Sequence, residues 1–321
     1  MSDPSILQLP HRNASNASPV VAEICESELP FDAVLGQDSI ALAFISGVEG
    51  ASYRPVGAAM AINDSGQCVG NLSAGCLDRD VAQHAKAAIA TGESVRLRYG
   101  RGSPFLDIVL PCGGTLDITI VARPDQAILG AVRATLAARE PALLCISSSG
   151  VLIQMLSEDG LNLCIRPEIR FVVFGKGPEA SCFSRLAQQA GYLVDLHSPD
   201  LETLENAGFG RELIGRGWPN IARPDPFTAV TVFFHDHDRE PELLAAALES
   251  PAFYVGAQGS LRTHNVRSRA LRDMGLSPAS ISRLASPFGL IPSVRDPRTL
   301  AVSVLADILQ TARTNLHAMP T

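Results

Sequence analysis

Basic side chains are in short supply in this sequence. Its 321 residues include 26 Lys and Arg against 33 Asp and Glu, which gives a net charge of -7 at pH 7. A protein that binds nucleic acid needs a basic face for the phosphates, so no nucleic-acid partner is predicted. The balance still allows a local basic pocket.

Long apolar runs are missing as well. Residues 141–156 carry no charge, but Ser147, Ser148 and Ser149 interrupt them, and the run is too short to span a bilayer. Residues 1–19 are rich in Ser, Asn and Pro and lack the continuous apolar core of a signal peptide. We therefore expect a soluble, cytoplasmic protein without a membrane partner, whose residues 1–19 form a flexible tail.

The cysteines show no C-x-x-C spacing, and their number is odd. The sequence thus predicts neither a zinc site nor a disulfide framework. In a reducing compartment these residues are thiols, and most of them are expected to be small core residues. The seven cysteines are Cys25, Cys68, Cys76, Cys112, Cys145, Cys164 and Cys182.

The apolar pattern changes near residue 166. Before it, short strand-like segments alternate with few helices, beginning with a helix predicted over residues 20–35, which indicates an α+β arrangement. After it, strands and helices alternate regularly, as in a doubly wound parallel sheet. The predicted fold class is α/β, with an N-terminal α+β domain over residues 20–165 and a C-terminal Rossmann-like domain over residues 166–314. Residues 315–321 are predicted to form a tail.

A glycine-rich turn opens the second domain. Gly175, Gly177 and Ala180 form a G-x-G-x-x-A pattern between an apolar strand and a predicted helix, where backbone amides can approach a pyrophosphate. The acidic residue that binds the ribose in NAD enzymes belongs at the end of the next strand, and Ser198 occupies that position. Two interpretations stay open: an NAD(P) site, or a Rossmann-like fold that serves packing or another ligand.

A small-residue turn lies between a predicted strand and a predicted helix of the first domain. It contains Ser73, Gly75 and Cys76. The free amides at the start of a helix can hold an anion, and Cys76 would lie in the first helical turn. The alternative is a tight turn with a buried, unreactive cysteine.

A second thiol lies in the segment Pro111–Gly114. Cys112 is followed by Gly113 and Gly114, which carry no side chains that could shield the sulfur. A soft thiolate suits molybdenum or persulfide chemistry. The alternative is a β-bulge or a turn with a bystander cysteine.

Two further loops contain groups that suit anions. The loop Ser52–Gly57 offers the guanidinium of Arg54 for a phosphate, although an arginine in a loop is usually only solvated. In the second domain, Gly256, Gly259 and Ser260 join a predicted strand to a helix. They predict a second turn that favours an anion at the same edge of the sheet.

Two histidines follow an apolar strand of the second domain. On an extended chain His235 and His237 point the same way, so a metal site is conceivable. The alternative is helix capping by Asp238, which lies just before a predicted helix.

Taken in order, these segments resemble the XdhC/CoxI family, the xanthine dehydrogenase accessory proteins. The resemblance covers roughly residues 45–122 and 168–310. It departs from the family pattern at Asp78, where Glu is usual, and at Ser198, where an acidic residue is usual. Its segments are Gly50–Gly57, Gly70–Asp78, Pro111–Gly114, Phe174–Ala180, His235–His237, Tyr254–Thr263, Ser286–Leu290 and Ala301–Asp307.

The resemblance implies a role in cofactor maturation. Proteins of this family bind the molybdenum cofactor (molybdopterin) while a cysteine desulfurase supplies its terminal sulfur, and pass it to an apo molybdenum hydroxylase. They are often homodimers. The implied role is that of a non-catalytic insertion chaperone. The candidate cofactor-binding residues are Arg54, Gly57, Ser73, Gly75, Cys76, Cys112, Gly113, Gly114, Gly175, Gly177, Gly256, Gly259 and Ser260, with Cys112 and Cys76 as candidate metal ligands.

Two other functions compete with this one. The βαβ unit around the glycine turn is compatible with an NAD(P)-dependent oxidoreductase, but Ser198 and the lack of a catalytic constellation nearby weaken it. A regulatory or scaffold protein with a relic nucleotide fold is the third hypothesis, because a fold does not imply a function.

Overall fold

The computed structural model describes residues 21–73, 75–101, 113–234 and 239–316. The tail predicted over residues 1–19, Cys112 and the segment His235–Asp238 therefore lie outside the described residues. The chain divides into two compact units, with the boundary between Pro167 and Glu168. Within the described ranges, no helix is both long and apolar enough to cross a membrane.

The first unit contains nine described strands and three α-helices. In chain order they are β1 (Val21–Cys25), α1 (Phe31–Val34), β2 (Ile40–Glu49), β3 (Ala59–Asn63), β4 (Cys68–Gly70), α2 (Cys76–Thr91), β5 (Val95–Tyr99), β6 (Thr115–Ala122), α3 (Gln126–Ala137), β7 (Ala142–Ser147), β8 (Leu152–Ile153) and β9 (Gly160–Arg166).

A five-stranded antiparallel sheet, in the order β4-β3-β2-β6-β5, forms the middle of the first unit. Ala41, Ala43 and Ile45 of β2 point into one core together with α2, and Leu42 and Phe44 point into a second core. Successive side chains of a strand face opposite sides, so the continuous apolar run of β2 is buried on both. The second core also contains α3 and a four-stranded mixed sheet, in the order β1-β9-β7-β8.

The helix predicted over residues 20–35 is wrong. Residues Val21–Cys25 form β1, which pairs in parallel with β9, and the α-helix that follows, α1, is only four residues long. Ile24 of β1 is buried in the second core. The partner strand lies far away in the sequence, and pairing with burial outweighs the local preference of this segment.

The second unit alternates strands and helices. Its elements are β10 (Arg170–Gly175), α4 (Pro178–Gln189), β11 (Leu193–Ser198), α5 (Leu201–Ala207), β12 (Arg211–Glu212), β13 (Thr228–Phe233), α6 (Glu240–Leu248), β14 (Tyr254–Ala257), α7 (Leu261–Asp273), α8 (Pro278–Ser282), β15 (Leu284–Ala285) and α9 (Pro297–Leu316).

All six strands of the second unit run parallel, in the order β12-β11-β10-β13-β14-β15. Val172 and Phe174 of β10 face one core, which α6, α7 and α8 cover, and Phe171 and Val173 face the other, which α4, α5 and α9 cover. Helices on both faces of a parallel sheet define a doubly wound fold. The predicted fold class is therefore confirmed.

Candidate functional site

The small-residue segments of the first unit come together at one end of the five-stranded sheet. β2, β4 and β5 end there, while β3 and β6 begin there, as the register of the paired strands shows. The loops that carry Arg54, Gly75 and Gly114 therefore share one edge of the sheet, because antiparallel neighbours alternate in direction. We name this edge, formed by residues 50–57, 71–73, 75 and 113–114, the loop edge.

Glycines bring the backbones of the loop edge into direct contact. A Cβ on Gly100 would lie 2.2 Å from the carbonyl oxygen of Gly114, and a Cβ on Gly114 would lie 2.6 Å from that of Ala51. Gly113 differs, because it is exposed with φ at +66° and none of the described atoms lies within 4 Å of its Cβ position. The backbone at Gly113 is thus open to a ligand beside Cys112, which lies outside the described residues.

The turn before α2 is partly closed by a side chain of that helix. Oδ1 of Asp78 accepts hydrogen bonds from the amides of Ser73 (3.0 Å) and Leu72 (3.3 Å). Burial raises the pKa of Asp78, and the two amides oppose that shift. An anion at this turn therefore cannot use those amides while Asp78 holds them. Gly75 and the exposed Cys76 at the start of α2 stay accessible.

Arg54 is committed to a carboxylate. Its Nη2 donates to Oε2 of Glu28 in a half-buried ion pair, so it is not the merely solvated arginine that its loop suggested. A phosphate at Arg54 would have to compete with Glu28 for the guanidinium. The prediction that Arg54 binds the cofactor thus depends on whether this ion pair can open.

Sequence reasoning missed a charged cluster beside the loop edge. Arg98 of β5 donates through Nε to Asp117 (2.7 Å) and through Nη2 to Glu49 (3.0 Å). The pKa of Arg98 is raised, mainly by its hydrogen bond to Asp117. A signal was present, because Arg96 and Arg98 alternate with apolar residues along β5. Only the pairing of β5 and β6, however, shows that Asp117 lies opposite Arg98.

Metal ligands do not cluster in the described part of the chain. There, no group of three or more His, Cys, Asp or Glu side chains could hold a metal ion. Cys76 presents its thiol at the first position of α2, and the second candidate ligand, Cys112, lies outside the described residues. The loop edge therefore offers a ligand bare backbone and an exposed sulfur rather than a preformed metal cage.

Three of the predicted binding glycines have packing explanations. A Cβ on Gly57, which is buried, would lie 2.7 Å from a methyl carbon of Leu163. A Cβ on Gly175 would lie 2.8 Å from a side-chain carbon of α4, and one on Gly256 would lie 2.7 Å from the ring of Phe288. At these positions glycine permits close approach of the protein to itself.

The glycine turn of the second unit is largely closed by the protein's own groups. The amide of Gly177 donates to Oγ1 of Thr203 at 2.8 Å, and Pro178 at the start of α4 has no amide hydrogen. The carboxylate of Glu179 lies 3.5 Å from the Cβ position of Gly177. A pyrophosphate needs such amides and is repelled by a carboxylate. With Ser198 at the end of β11, this geometry does not support an NAD(P) site.

The second predicted anion turn begins α7. Ser260 caps that helix, because its Oγ accepts the amide hydrogen of Thr263 at 3.2 Å. Gly259 precedes it with φ at +156°, and a Cβ there would lie 2.9 Å from Thr263. The turn borders a cavity of the second unit.

Comparisons with known proteins match both units. The family model described as XdhC and CoxI family matches residues 34–100, and the XdhC Rossmann domain model matches residues 171–308. The chain is 33% identical over 294 residues to the molybdenum cofactor insertion chaperone PaoD of Escherichia coli (strain K12), which covers 89% of this chain and 86% of that protein.

Two further proteins show similarity over most of the chain. A Bacillus subtilis (strain 168) protein named as a probable xanthine dehydrogenase subunit is 25% identical over 326 residues, 88% of this chain and 96% of that protein. A crystal structure described as a xanthine dehydrogenase from Bacillus halodurans has the same fold, with a TM-score of 0.73 and 22% identity over 92% of this chain and 98% of that one.

Proposed function

Because the chain belongs to the XdhC and CoxI family, we propose that it binds the molybdenum cofactor and delivers it, after sulfuration, to an apo molybdenum hydroxylase of the xanthine dehydrogenase type. It acts as a non-catalytic insertion chaperone in the cytoplasm. A cysteine desulfurase is its second partner, and the working form is a homodimer.

The observation that carries this proposal is the loop edge of the first unit. There, bare glycine backbone at Gly113 lies on the same edge as the exposed thiol of Cys76. The cofactor has a flat polar ring, a phosphate and a metal bound by sulfur. A flat ring needs backbone without side chains, and the metal end suits a soft sulfur.

The phosphate has fewer donors than the sequence suggested. Asp78 occupies two amides of the turn before α2, and Arg54 and Arg98 are both bound by carboxylates. The amides in the first turn of α2, which have no intrahelical acceptors, are the remaining donors for it. Binding without a strong cationic clamp suits a protein that must release its cargo.

Retention of molybdenum tests the proposal. The parent protein, Cys112→Ser and the matched control Cys182→Ser would be purified from cells that make the cofactor. Molybdenum per chain would be measured by mass spectrometry and the pterin by fluorescence after oxidation. We expect the parent and Cys182→Ser to carry both, and Cys112→Ser to be folded but depleted. The control lies in α4 of the second unit and is only partly buried.

Two outcomes would contradict parts of the proposal. If the parent carries neither molybdenum nor pterin, the chain does not bind the cofactor. If Cys112→Ser retains as much molybdenum as the parent, the thiol is a bystander and only the glycines of the loop edge matter. Delivery would be tested by adding the loaded protein to an apo hydroxylase, with and without a cysteine desulfurase, and measuring the recovered hydroxylase activity.

A further inference from the structure

We propose that the second unit holds a separate site for a phosphorylated nitrogen heterocycle, such as a nucleoside monophosphate, in a cavity at the carboxyl ends of β14 and β15. The cavity has a volume of about 670 Å³. It is bounded by the start of α7, the start of α9 and the loop that follows β15. The proposal uses no residue of the loop edge and is independent of the cofactor-insertion role.

The position of the cavity differs from that of the glycine turn. The glycine turn follows β10, whereas the cavity lies beyond β14 and β15, at the other end of the strand order. Ligands of open α/β sheets bind outside the carboxyl ends of the strands. The cavity meets that condition, while the glycine turn is closed by Thr203 and Pro178.

Gln258 is the feature that points to a ligand. Its amide donates to the carbonyl oxygen of Val232 (2.8 Å), and its carbonyl oxygen accepts from Nη2 of Arg267 (2.9 Å). Arg267 is itself held by two hydrogen bonds of 2.9 Å to Glu240, and both side chains are at most 4% exposed. The backbone of Gln258 is therefore fixed from both sides.

The side chain of Gln258 is left with an unused acceptor. Its Oε1 is buried, lines the cavity and has no hydrogen-bond partner among the described residues. A buried acceptor without a donor is costly. A ring nitrogen or exocyclic amino group of a heterocycle would supply that donor.

The electrostatic character of the cavity favours an anion. Among the described residues that line it, Arg295 and His264 are the titratable ones, and no carboxylate is present. Burial and the nearby Arg267 lower the pKa of His264, so it is neutral at neutral pH and serves as a hydrogen-bonding group. α7 is 13 residues long and begins at the cavity. Its first amides and dipole also favour negative charge.

An aromatic wall suits a flat ring. Phe288 lies against Gly256, where a Cβ would be 2.7 Å from its ring, and this glycine is what allows the ring to take that place. The loop around Phe288 is fastened to α9, because Asp307 accepts the amide of Gly289 (3.3 Å) and Ser303 accepts the amide of Ile291 (2.7 Å). The ring wall is therefore preorganised.

Calorimetric titration of the full chain tests this site. The probes are AMP, CMP, GMP, UMP and inorganic phosphate, so that a nucleotide is distinguished from free phosphate. We expect at least one nucleotide to bind more tightly than phosphate, and Gln258→Leu and Arg295→Ala each to weaken it about tenfold. The control is Arg298→Ala, a highly exposed arginine that does not line the cavity.

Two further measurements keep the test decisive. Without nucleotide, Gln258→Leu should be at least as stable as the parent, because it removes an unsatisfied buried acceptor; a folded variant that no longer binds then supports the site. The proposal is overturned if no nucleotide binds at millimolar concentration. It is also overturned if Gln258→Leu and Arg295→Ala bind normally while Lys176→Ala, in the glycine turn, does not.

Discussion

The sharpest test of the loop edge compares two adjacent glycines that the structure treats differently. In Gly114→Ala the new Cβ would lie 2.6 Å from the carbonyl oxygen of Ala51 and 3.0 Å from that of Glu49. Both oxygens belong to the backbone and cannot rotate away, so the end of β2 must separate from the start of β6. Overpacking with loss of a sheet hydrogen bond costs about 3 kcal/mol.

In Gly113→Ala the cost has a different origin. The space around its Cβ position is open in the described part of the chain, so the methyl group clashes with nothing there. Its φ of +66° is left-handed, which costs an alanine roughly 1 kcal/mol. Stability should therefore fall only slightly, while the added methyl group occupies the bare backbone that the cofactor is proposed to approach.

Urea denaturation, thermal melts and bound molybdenum would be measured on both variants. With roughly 2–4 °C of Tm per kcal/mol for a unit of this size, Gly113→Ala should melt a few degrees below the parent and Gly114→Ala clearly lower. Gly113→Ala should lose molybdenum out of proportion to its small loss of stability. Equal stabilities would refute the packing argument, and full molybdenum retention by Gly113→Ala would refute the role of that backbone.

Three other predictions concern buried polar groups. Burial lowers the pKa of His197, whose ring nitrogens have no hydrogen-bond partner among the described residues; the neutral ring is favourable above about pH 6.5 and its contribution is lost as the pH falls below that value, so His197→Phe should flatten the stability profile between about pH 5 and 7, and an unchanged slope would contradict this. Asp78→Ala should cost about 1 kcal/mol by releasing two amides, and Asp78→Asn, which keeps an acceptor oxygen, should cost less in the same urea titration; equal losses would count against it. Arg267→Met should cost about 3–5 kcal/mol because the buried carboxylate of Glu240 loses its guanidinium, whereas adding Glu240→Leu should recover much of the loss; a double variant as unstable as the single one would show that charge is not the cause.

Much of the fold could be read from local sequence. The strand that ends at Gly175, the helix that ends before Gly92 and the strand that ends at Ser198 all lie where the apolar pattern and the turn residues predicted them. These features depend on backbone preferences and on the residues immediately around them. The helix predicted over residues 20–35 failed for the opposite reason, because β1 exists only through its pairing with β9.

The candidate site divides in the same way. Gly75, Cys76 and Gly113 were found as small residues at strand and helix ends, and the structure places their loops on one edge of one sheet. What the sequence did not show is that Arg54 is bound by Glu28, 26 residues earlier. It also did not show that the amide of Gly177 is bound by Thr203, 26 residues later.

By itself, then, the sequence determined where this chain turns, which segments become buried strands and which turns are free of bulky side chains. Only the tertiary structure decided what those turns face. The physical reason is range: a glycine or an apolar alternation acts on its own backbone within a few residues. An ion pair such as Arg98 with Glu49 joins groups 49 positions apart, and whether a donor is free for a ligand depends on partners that only folding brings near.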